Sequence, residues 1–229
     1  MPVALITGAS RGLGLALARR LAADGWSLVI DARGPDALEA ARTELADATT
    51  VVAVAGDVAG ANHRDQLIAA AAGLGGLDLL VNNASILGPS PQPNLGDYPL
   101  DDLRNVYEVN VVAPIALTQL ALPFLRRSGG VIVNITSDAG VEGYEGWGGY
   151  GSSKAALEQA SRVLAAEETA LSVYWVDPGD MNTQMHQEAF PGEDISDRPP
   201  PEDSVPGLVQ LVTTRPPSGR YQAKAVLAP

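Results

Sequence analysis

The sequence predicts a doubly wound α/β fold, in which helices cover both faces of a parallel sheet. Short apolar runs alternate along the chain with longer helical segments. The runs are nearly continuous in Val, Ile and Leu, which is typical of strands covered on both faces. Strands separated by helices at this spacing are joined by crossover connections and therefore lie parallel. At about 150 residues per domain, the 229 residues favour a single domain over 1–229.

The same patterns place the individual elements. We expect about seven strands, at residues 3–7, 27–30, 50–55, 77–81, 130–136, 171–176 and 219–227. Leucines recur every four residues from Leu13 to Leu21, and Pro35 suits the first turn of the next helix. The predicted helices cover residues 13–24, 35–47, 61–73, 101–127 and 151–168.

Composition excludes several classes of function. The chain has no cysteine, so disulfide scaffolds, iron–sulfur clusters and thiol catalysis are excluded, and two histidines are too few for most zinc sites. We therefore expect no metal site. A net charge of −12 argues against a nucleic-acid partner. We find no uninterrupted apolar stretch of about 18 residues and no signal-peptide pattern before the first strand. These observations predict a cytoplasmic protein with no membrane partner.

Two segments rich in Pro and Gly interrupt the regular pattern, at 88–99 and 182–206. Both follow predicted strands at their carboxyl ends, the edge of an open α/β sheet where ligands bind. Long loops at that edge are often lids. We predict that 182–206 is a substrate lid, whereas 88–99 is either a lid or an ordinary surface loop.

The first strand ends in the motif TGASRGLG, with glycines at 8, 12 and 14. Binding a pyrophosphate requires a tight turn, close approach of the backbone and a helix N-terminus aimed at the phosphates. Glycines also mark ordinary turns, but this triplet lies between the first strand and the first helix of the series. That context predicts a nucleotide-binding site.

The chain resembles the short-chain dehydrogenase/reductase family. The resemblance begins with the Gly-x-x-x-Gly-x-Gly spacing and continues through five further segments in order. These are Asp57-Val58, NNAS (82–85), Ser137, YGSSK (150–154) and PGDMNT (178–183). It implies a Rossmann-like fold, binding of NAD or NADP, and reduction of a carbonyl or oxidation of an alcohol.

Tyr150 and Lys154 lie four residues apart on a predicted helix and therefore share a face. An ammonium beside a phenol lowers the pKa of the phenol, which predicts that Tyr150 is a general acid/base. Ser137 ends a central strand, where its hydroxyl can hold the substrate oxygen. The resemblance implies that Asn110 holds a water in a proton relay reaching Lys154. Tyr144 is a rival acid, but no lysine follows it by four residues.

The resemblance also assigns the cofactor site. It implies that Lys154 binds the ribose of the nicotinamide half, that Asp57 and Val58 contact adenine, and that Thr183 holds the carboxamide. The full predicted set of cofactor-binding residues is Gly8, Ser10, Arg11, Gly12, Leu13, Gly14, Arg33, Asp57, Val58, Asn83, Tyr150, Lys154, Pro178, Gly179, Met181 and Thr183.

The residues after the second strand bear on the choice between NADP and NAD. Arg33 matches the arginine of NADP-binding relatives, and Arg11 adds a second positive charge. Asp31 lies one residue before the position at which NAD-binding relatives carry their acid. Asp31 could still bind the ribose and pair with Arg33. The sequence favours NADP.

The resulting hypothesis is an NADP-dependent oxidoreductase acting on a small carbonyl or alcohol substrate. A non-catalytic NADP(H) sensor on the same fold is the alternative. A sugar-nucleotide epimerase fits poorly, because few residues remain after Thr183 for a substrate domain. An apolar substrate pocket could be lined by Trp147, Tyr144, Met181, Met185 and Phe190, or these side chains could simply pack the loops. The family also implies a homodimer or homotetramer formed through the helices at 101–127 and 151–168.

Two residues depart from the usual family pattern. Ser85 stands where the family usually has glycine, and Asp138 places a carboxylate directly after Ser137.

Overall fold

A computed structural model describes residues 1–227 and contains one parallel sheet of seven strands. The strands are β1 (Val3–Ile6), β2 (Ser27–Ala32), β3 (Val51–Ala55), β4 (Leu79–Asn82), β5 (Val131–Ile135), β6 (Ser172–Asp177) and β7 (Gly219–Gln222). They lie in the order β3-β2-β1-β4-β5-β6-β7, and every neighbouring pair is parallel. The predicted doubly wound fold is confirmed. The order reverses between β1 and β4, where an open α/β sheet forms its ligand crevice.

Within residues 1–227, eight α-helices connect or follow the strands. They are α1 (Gly12–Ala23), α2 (Pro35–Leu45), α3 (Ala61–Gly73), α4 (Leu100–Tyr107), α5 (Ala113–Ser128), α6 (Gly148–Glu167), α7 (Gln184–Ala189) and α8 (Val205–Thr214). Because successive side chains of a strand point to opposite faces, the sheet divides the core into two clusters. One cluster includes Ile6 and Leu17 and contains α1, α2 and α8, whereas the other includes Leu5 and Leu117 and contains α3 and α5.

The helix predicted over 101–127 is continuous but not uniform. α4 passes into a π-helical segment, Glu108–Val112, and then into α5. By length and mean hydropathy, residues Leu100–Ser128 could cross a membrane. One such helix is weak evidence, because the core helix of a folded domain passes the same test. Here Ala113, Leu117 and Leu125 are buried in the core against the sheet.

The C-terminal part differs from the prediction. The last strand ends at Gln222 instead of 227, because the backbone turns at buried Ala223 and packs against Gly207 at the start of α8. The segment 182–206 is not a continuous loop, since it contains α7 and the first residues of α8. We did not predict α8. Its apolar residues fill the core beside α1.

Candidate active site

The glycine motif forms a tight connection between β1 and α1. Gly8 has φ +65°, and a β-carbon there would lie 2.9 Å from the Ala84 Cα. A β-carbon at Gly14 would lie 2.5 Å from the Gly8 carbonyl oxygen. Neither position has room for a side chain, so glycine is needed at both for the loop to pack tightly against the residues after β4 and the start of α1. The N-terminus of a helix binds anions through its free N–H groups.

A cavity of about 1070 Å³ lies at the carboxyl ends of β1, β2 and β4, beside this loop. Eleven of the predicted cofactor-binding residues line it: Gly8, Ser10, Arg11, Gly12, Leu13, Arg33, Asp57, Val58, Asn83, Met181 and Thr183. Five do not, namely Gly14, Tyr150, Lys154, Pro178 and Gly179. Gly14 lies behind the loop, where it permits close packing of α1. In residues 1–227 no group of three or more His, Asp or Glu side chains is placed to hold a metal ion.

Asp31, at the end of β2, is buried and bonded through both carboxylate oxygens. Its Oδ1 accepts the Gly8 N–H at 2.7 Å, and its Oδ2 lies 2.9 Å from Nε2 of His63. Asp31 therefore pairs with His63. The alternative interpretation, in which Asp31 pairs with Arg33, does not agree with this contact. Arg33 is exposed and lines the cavity. The His63 contact was missed by sequence reasoning because a single histidine on a helix gives no signal of its partner.

Asn82 and Asn83 have different positions: Asn82 lies in the core, and Asn83 bonds the glycine loop. Asn82 is buried and donates to Asn134 Oδ1 at 2.7 Å. The Asn83 side chain donates to the carbonyl oxygens of Thr7 and Gly8, at 2.8 and 3.1 Å. Asn83 thus fixes the glycine loop from β4 while it lines the cavity.

Tyr150 and Lys154 lie in the first two turns of α6 and are both buried. Lys154 Nζ lies 5.3 Å from the centre of the Tyr150 ring and donates to the Ile135 carbonyl oxygen at 2.9 Å. Burial lowers the pKa of Lys154 to about 7. Burial and the nearby carboxylates of Asp138 and Asp177 raise the pKa of Tyr150 well above its usual range. The prediction that Lys154 lowers the pKa of Tyr150 is therefore wrong for the protein's own residues, because burial and the two carboxylates disfavour the phenolate.

Ser137 lies two residues after the end of β5, close to where it was predicted, but its hydroxyl is engaged. It donates to Asp138 Oδ1 at 2.9 Å and accepts the Ala139 N–H at 3.2 Å. The other oxygen of Asp138 accepts the Tyr144 hydroxyl at 3.0 Å. Tyr144 therefore partners Asp138. Ser137 can donate to a substrate oxygen only after its O–H turns away from Asp138.

Asn110 lies in the π-helical segment and is fully buried, and its side chain bonds protein groups. Its Oδ1 accepts from the Ile86 N–H at 2.9 Å and from the Ser85 hydroxyl at 3.1 Å. Its Nδ2 donates to the Ile86 carbonyl and to Ser153 Oγ, at 2.9 and 3.0 Å. The side chain of Asn110 thus joins the segment after β4 to α6. Its predicted part in a water relay to Lys154 stays a prediction.

The segment after β6 borders the cavity through Met181 and Thr183, and Thr183 is the residue predicted to hold the nicotinamide carboxamide. Asp177 Oδ1 accepts the Gly179 N–H at 2.9 Å, which fixes the turn that contains Pro178. Thr183 lines the cavity, and its hydroxyl also accepts the His186 N–H at 3.3 Å as the cap of α7. Arg11 of the glycine loop bonds Gln184, the first residue of α7.

An apolar cluster covers Tyr150. The Trp147 ring lies 5.8 Å from the Tyr150 ring and 5.9 Å from the Phe190 ring, centre to centre. Met185 of α7 packs against the same cluster. Four of the five residues predicted for an apolar pocket therefore lie in this cluster, namely Tyr144, Trp147, Met185 and Phe190. The fifth, Met181, packs against the core cluster that contains α1. Residues 182–190 thus lie over the tyrosine.

Comparisons with known proteins agree with this architecture. The family model described as short chain dehydrogenase matches residues 2–194. Serine 3-dehydrogenase from Agrobacterium fabrum is 33% identical over 185 residues, which cover 79% of this chain and 72% of the relative.

Solved structures extend the likeness to almost the whole chain. A short chain dehydrogenase from Salmonella enterica serovar Typhi superposes with a TM-score of 0.89, at 29% identity over 97% of this chain and 96% of the other. An alcohol dehydrogenase from Thermococcus sibiricus, complexed with 5-hydroxy-NADP, gives a TM-score of 0.85 at 29% identity, over 97% and 94% of the two chains.

Proposed function

The chain belongs to the short-chain dehydrogenase/reductase family, and from this premise we propose that it is an NADP(H)-dependent oxidoreductase. It would interconvert a carbonyl group and a secondary alcohol on a small or medium-sized organic substrate. That the enzyme acts on CH–OH or C=O groups follows from its relatives. The preference for NADP, the roles of individual residues and the substrate belong to the proposal.

The cavity suits a dinucleotide. Its glycine loop leads into the N-terminus of α1, where free N–H groups can bind a pyrophosphate, and its volume of about 1070 Å³ is large for a ligand site. Ser10 and Leu13 would contribute to the pyrophosphate end, and Asp57 and Val58 would contact the adenine. Met181 and Thr183 would hold the nicotinamide end, together with the Pro178–Gly179 turn.

The observation that carries the preference for NADP is the engagement of Asp31. Asp31 is almost completely buried, and its two oxygens already bond Gly8 and His63 within the protein, which leaves it poorly placed to bind a ribose hydroxyl. Arg33 and Arg11 line the same cavity, where guanidinium groups suit a 2′-phosphate. The related alcohol dehydrogenase from Thermococcus sibiricus is complexed with an NADP derivative, which is consistent with this preference.

The protein's own residues account for the proton and for orientation. When bound, the nicotinamide supplies or accepts the hydride at the substrate carbon. Tyr150 would donate its phenolic proton to the carbonyl oxygen during reduction, and the Ser137 hydroxyl would hold that oxygen. Lys154, whose ammonium is partly deprotonated near pH 7 because burial lowers its pKa to about 7, would bind the ribose. Such positioned donors supply most of the acceleration expected at a site of this kind.

Residues 182–206 are proposed to act as the substrate lid. Phe190 and Met185 lie over Trp147 and Tyr150, and Ser90 Oγ donates to the Glu188 carbonyl at 2.6 Å, which links the segment 88–99 to α7. The catalytic tyrosine is thus covered and would be reached when α7 moves.

We also propose that the enzyme forms a homodimer or homotetramer. Val112, Ile115 and Leu120 on the α4–α5 helix and Val163 on α6 are exposed apolar residues. Sedimentation of the wild-type protein would show an oligomer, which Ile115→Glu weakens, whereas a strict monomer would refute this part of the proposal.

Fluorescence titration with NADPH and NADH tests the proposed cofactor. The wild-type protein would bind NADPH at least about tenfold more tightly than NADH, and Arg33→Gln would remove most of this preference. Arg162→Gln, a change on the surface of α6, is the matched control. Equal affinity for the two cofactors, or a preference for NADH, would contradict the assignment of Arg33 and Arg11.

A further inference from the structure

Arg220 connects three segments of the active site from the edge strand. It lies on β7, beyond the residues that the family model matches. Its Nε bonds Glu158 Oε1 at 3.0 Å, and its Nη2 donates to the Ser137 carbonyl oxygen at 3.3 Å. The same Nη2 lies 3.6 Å from Asp177 Oδ2.

The two carboxylates that face Arg220 are almost completely buried. The side chains of Glu158 and Asp177 are 4% and 6% exposed, whereas that of Arg220 is 24% exposed. Burial raises the pKa of Asp177, and the Arg220 charge opposes that rise. Removing one partner of a buried ion pair leaves an uncompensated charge, which is strongly destabilising. Arg220 is thus the cation that pairs with both of these buried side chains.

Each partner of Arg220 belongs to a segment with a proposed part in the reaction. Glu158 lies one turn after Lys154 on α6. Asp177 fixes the turn after β6 by accepting the Gly179 N–H. The Ser137 carbonyl oxygen accepts the Gly140 N–H at 3.0 Å within its own turn, and Arg220 is its long-range partner. A planar guanidinium can bond several acceptors in fixed directions, which an ammonium cannot do.

We propose that Arg220 is a positioning residue, which holds the serine turn after β5, the catalytic helix α6 and the turn after β6 in register for hydride transfer. It touches neither the substrate nor the cofactor and acts through Ser137, Glu158 and Asp177. The inference rests on the catalytic roles proposed above for Ser137 and Lys154. Misplacing reacting groups by about 1 Å can cost about a hundredfold in rate, so a small shift of these segments would be measurable.

The test compares Arg220→Met and Arg220→Lys with Arg126→Met, in the full-length protein. Arg126 forms an ion pair with Glu168 on the surface, with 56% of its side chain exposed, and serves as the matched loss of an Arg–Glu pair. The substrate is the ketone or aldehyde that gives the highest wild-type rate with NADPH, from a panel of aliphatic and aromatic carbonyl compounds. We expect Arg220→Met to lower kcat by about tenfold to a hundredfold, with less than about a threefold change in the Kd of NADPH. Arg220→Lys should recover part of the loss, and Arg126→Met should behave as wild type.

Hydrogen exchange of the same variants gives a measurement that needs no turnover. With Arg220→Met, peptides covering residues 137–141 and 177–183 should exchange at least about tenfold faster, while peptides from α2 and β3 stay at the wild-type rate. Uniformly faster exchange together with an unchanged kcat would overturn the inference, because Arg220 would then contribute only to global stability. If the wild-type protein reduces no carbonyl compound, the proposed function fails, and hydrogen exchange alone then decides whether Arg220 holds these segments.

Discussion

Replacing Lys154 by methionine should abolish catalysis and yet stabilise the protein below about pH 7. Lys154 is 2% exposed, and burial lowers its pKa from the ordinary lysine value of 10.5 to about 7. The folded state therefore disfavours the charged ammonium, whereas the unfolded chain accepts it freely. Because the unfolded state binds more protons between these two pKa values, the stability contributed by this site rises with pH across that window and is lowest below about pH 7.

The size of the effect follows from the two pKa values. The pKa falls from 10.5 to about 7, which costs the folded state about 5 kcal/mol below pH 7. At pH 9 only about 1.5 units of that difference remain, or about 2 kcal/mol. Methionine removes this cost but leaves the Ile135 carbonyl without its donor, at a cost of about 1–3 kcal/mol. The variant should therefore be more stable than wild type by about 2–4 kcal/mol at pH 6 and nearly equal to it at pH 9.

Urea unfolding at pH 6 and pH 9 measures this difference directly. Other titrating groups are common to both proteins and cancel in the comparison, and Lys224→Met controls for the loss of an exposed lysine. The chain has only two lysines, Lys154 and Lys224. NMR of protein labelled with 13C at the lysine ε-carbon thus gives two signals, which Lys224→Arg assigns. A gap between wild type and variant that is the same at both pH values, or a Lys154 signal that titrates at 10.5, would show that burial does not disfavour the ammonium.

Two further predictions concern the glycine loop and the carboxylate beside the serine. Gly14→Ala should destabilise the protein by about 1–3 kcal/mol and weaken NADPH binding, because the new β-carbon would lie 2.5 Å from a backbone oxygen. Urea unfolding measures the stability and cofactor titration measures the binding. An alanine variant equal to wild type in both measurements would contradict the close packing. Asp138→Asn should move the rise of alcohol oxidation with pH to lower pH, because burial raises the pKa of Tyr150 and the Asp138 charge adds to that rise. The pH profile of kcat/KM measures this shift, and an unmoved profile would show that Asp138 has no influence on the tyrosine.

Most of the fold could be predicted from the sequence because its strands are buried on both faces. The continuous apolar runs at 3–7 and 77–81 correspond to the central strands β1 and β4, which lie beside each other at the crevice. The predicted last strand, 219–227, is present but ends at 222, and the prediction missed α8. In both places tertiary packing decides: the turn at Ala223 depends on contact with α8, a partner that local pattern does not show.

The candidate site divides in the same way. The glycine motif could be located in advance because its chemistry is local, and its residues Gly8, Ser10 and Gly12 line the cavity. The engagement of Asp31 by His63 and the three-way contact of Arg220 could not be predicted, since each joins residues more than 30 positions apart. The pKa of Tyr150 was predicted with the wrong sign, because the spacing to Lys154 shows the neighbouring charge but not the depth of burial.

The most direct test of the proposed function measures turnover and cofactor binding together, in wild type and Tyr150→Phe. With NADPH and a panel of ketones and aldehydes, wild type should consume NADPH in the presence of at least one carbonyl compound. Tyr150→Phe should lose at least about a hundredfold in kcat while its Kd for NADPH stays within about twofold of wild type. A phenylalanine variant with the wild-type rate would contradict the proposed function. Tight NADPH binding without turnover on any member of the panel would also contradict it, and would favour a cofactor sensor.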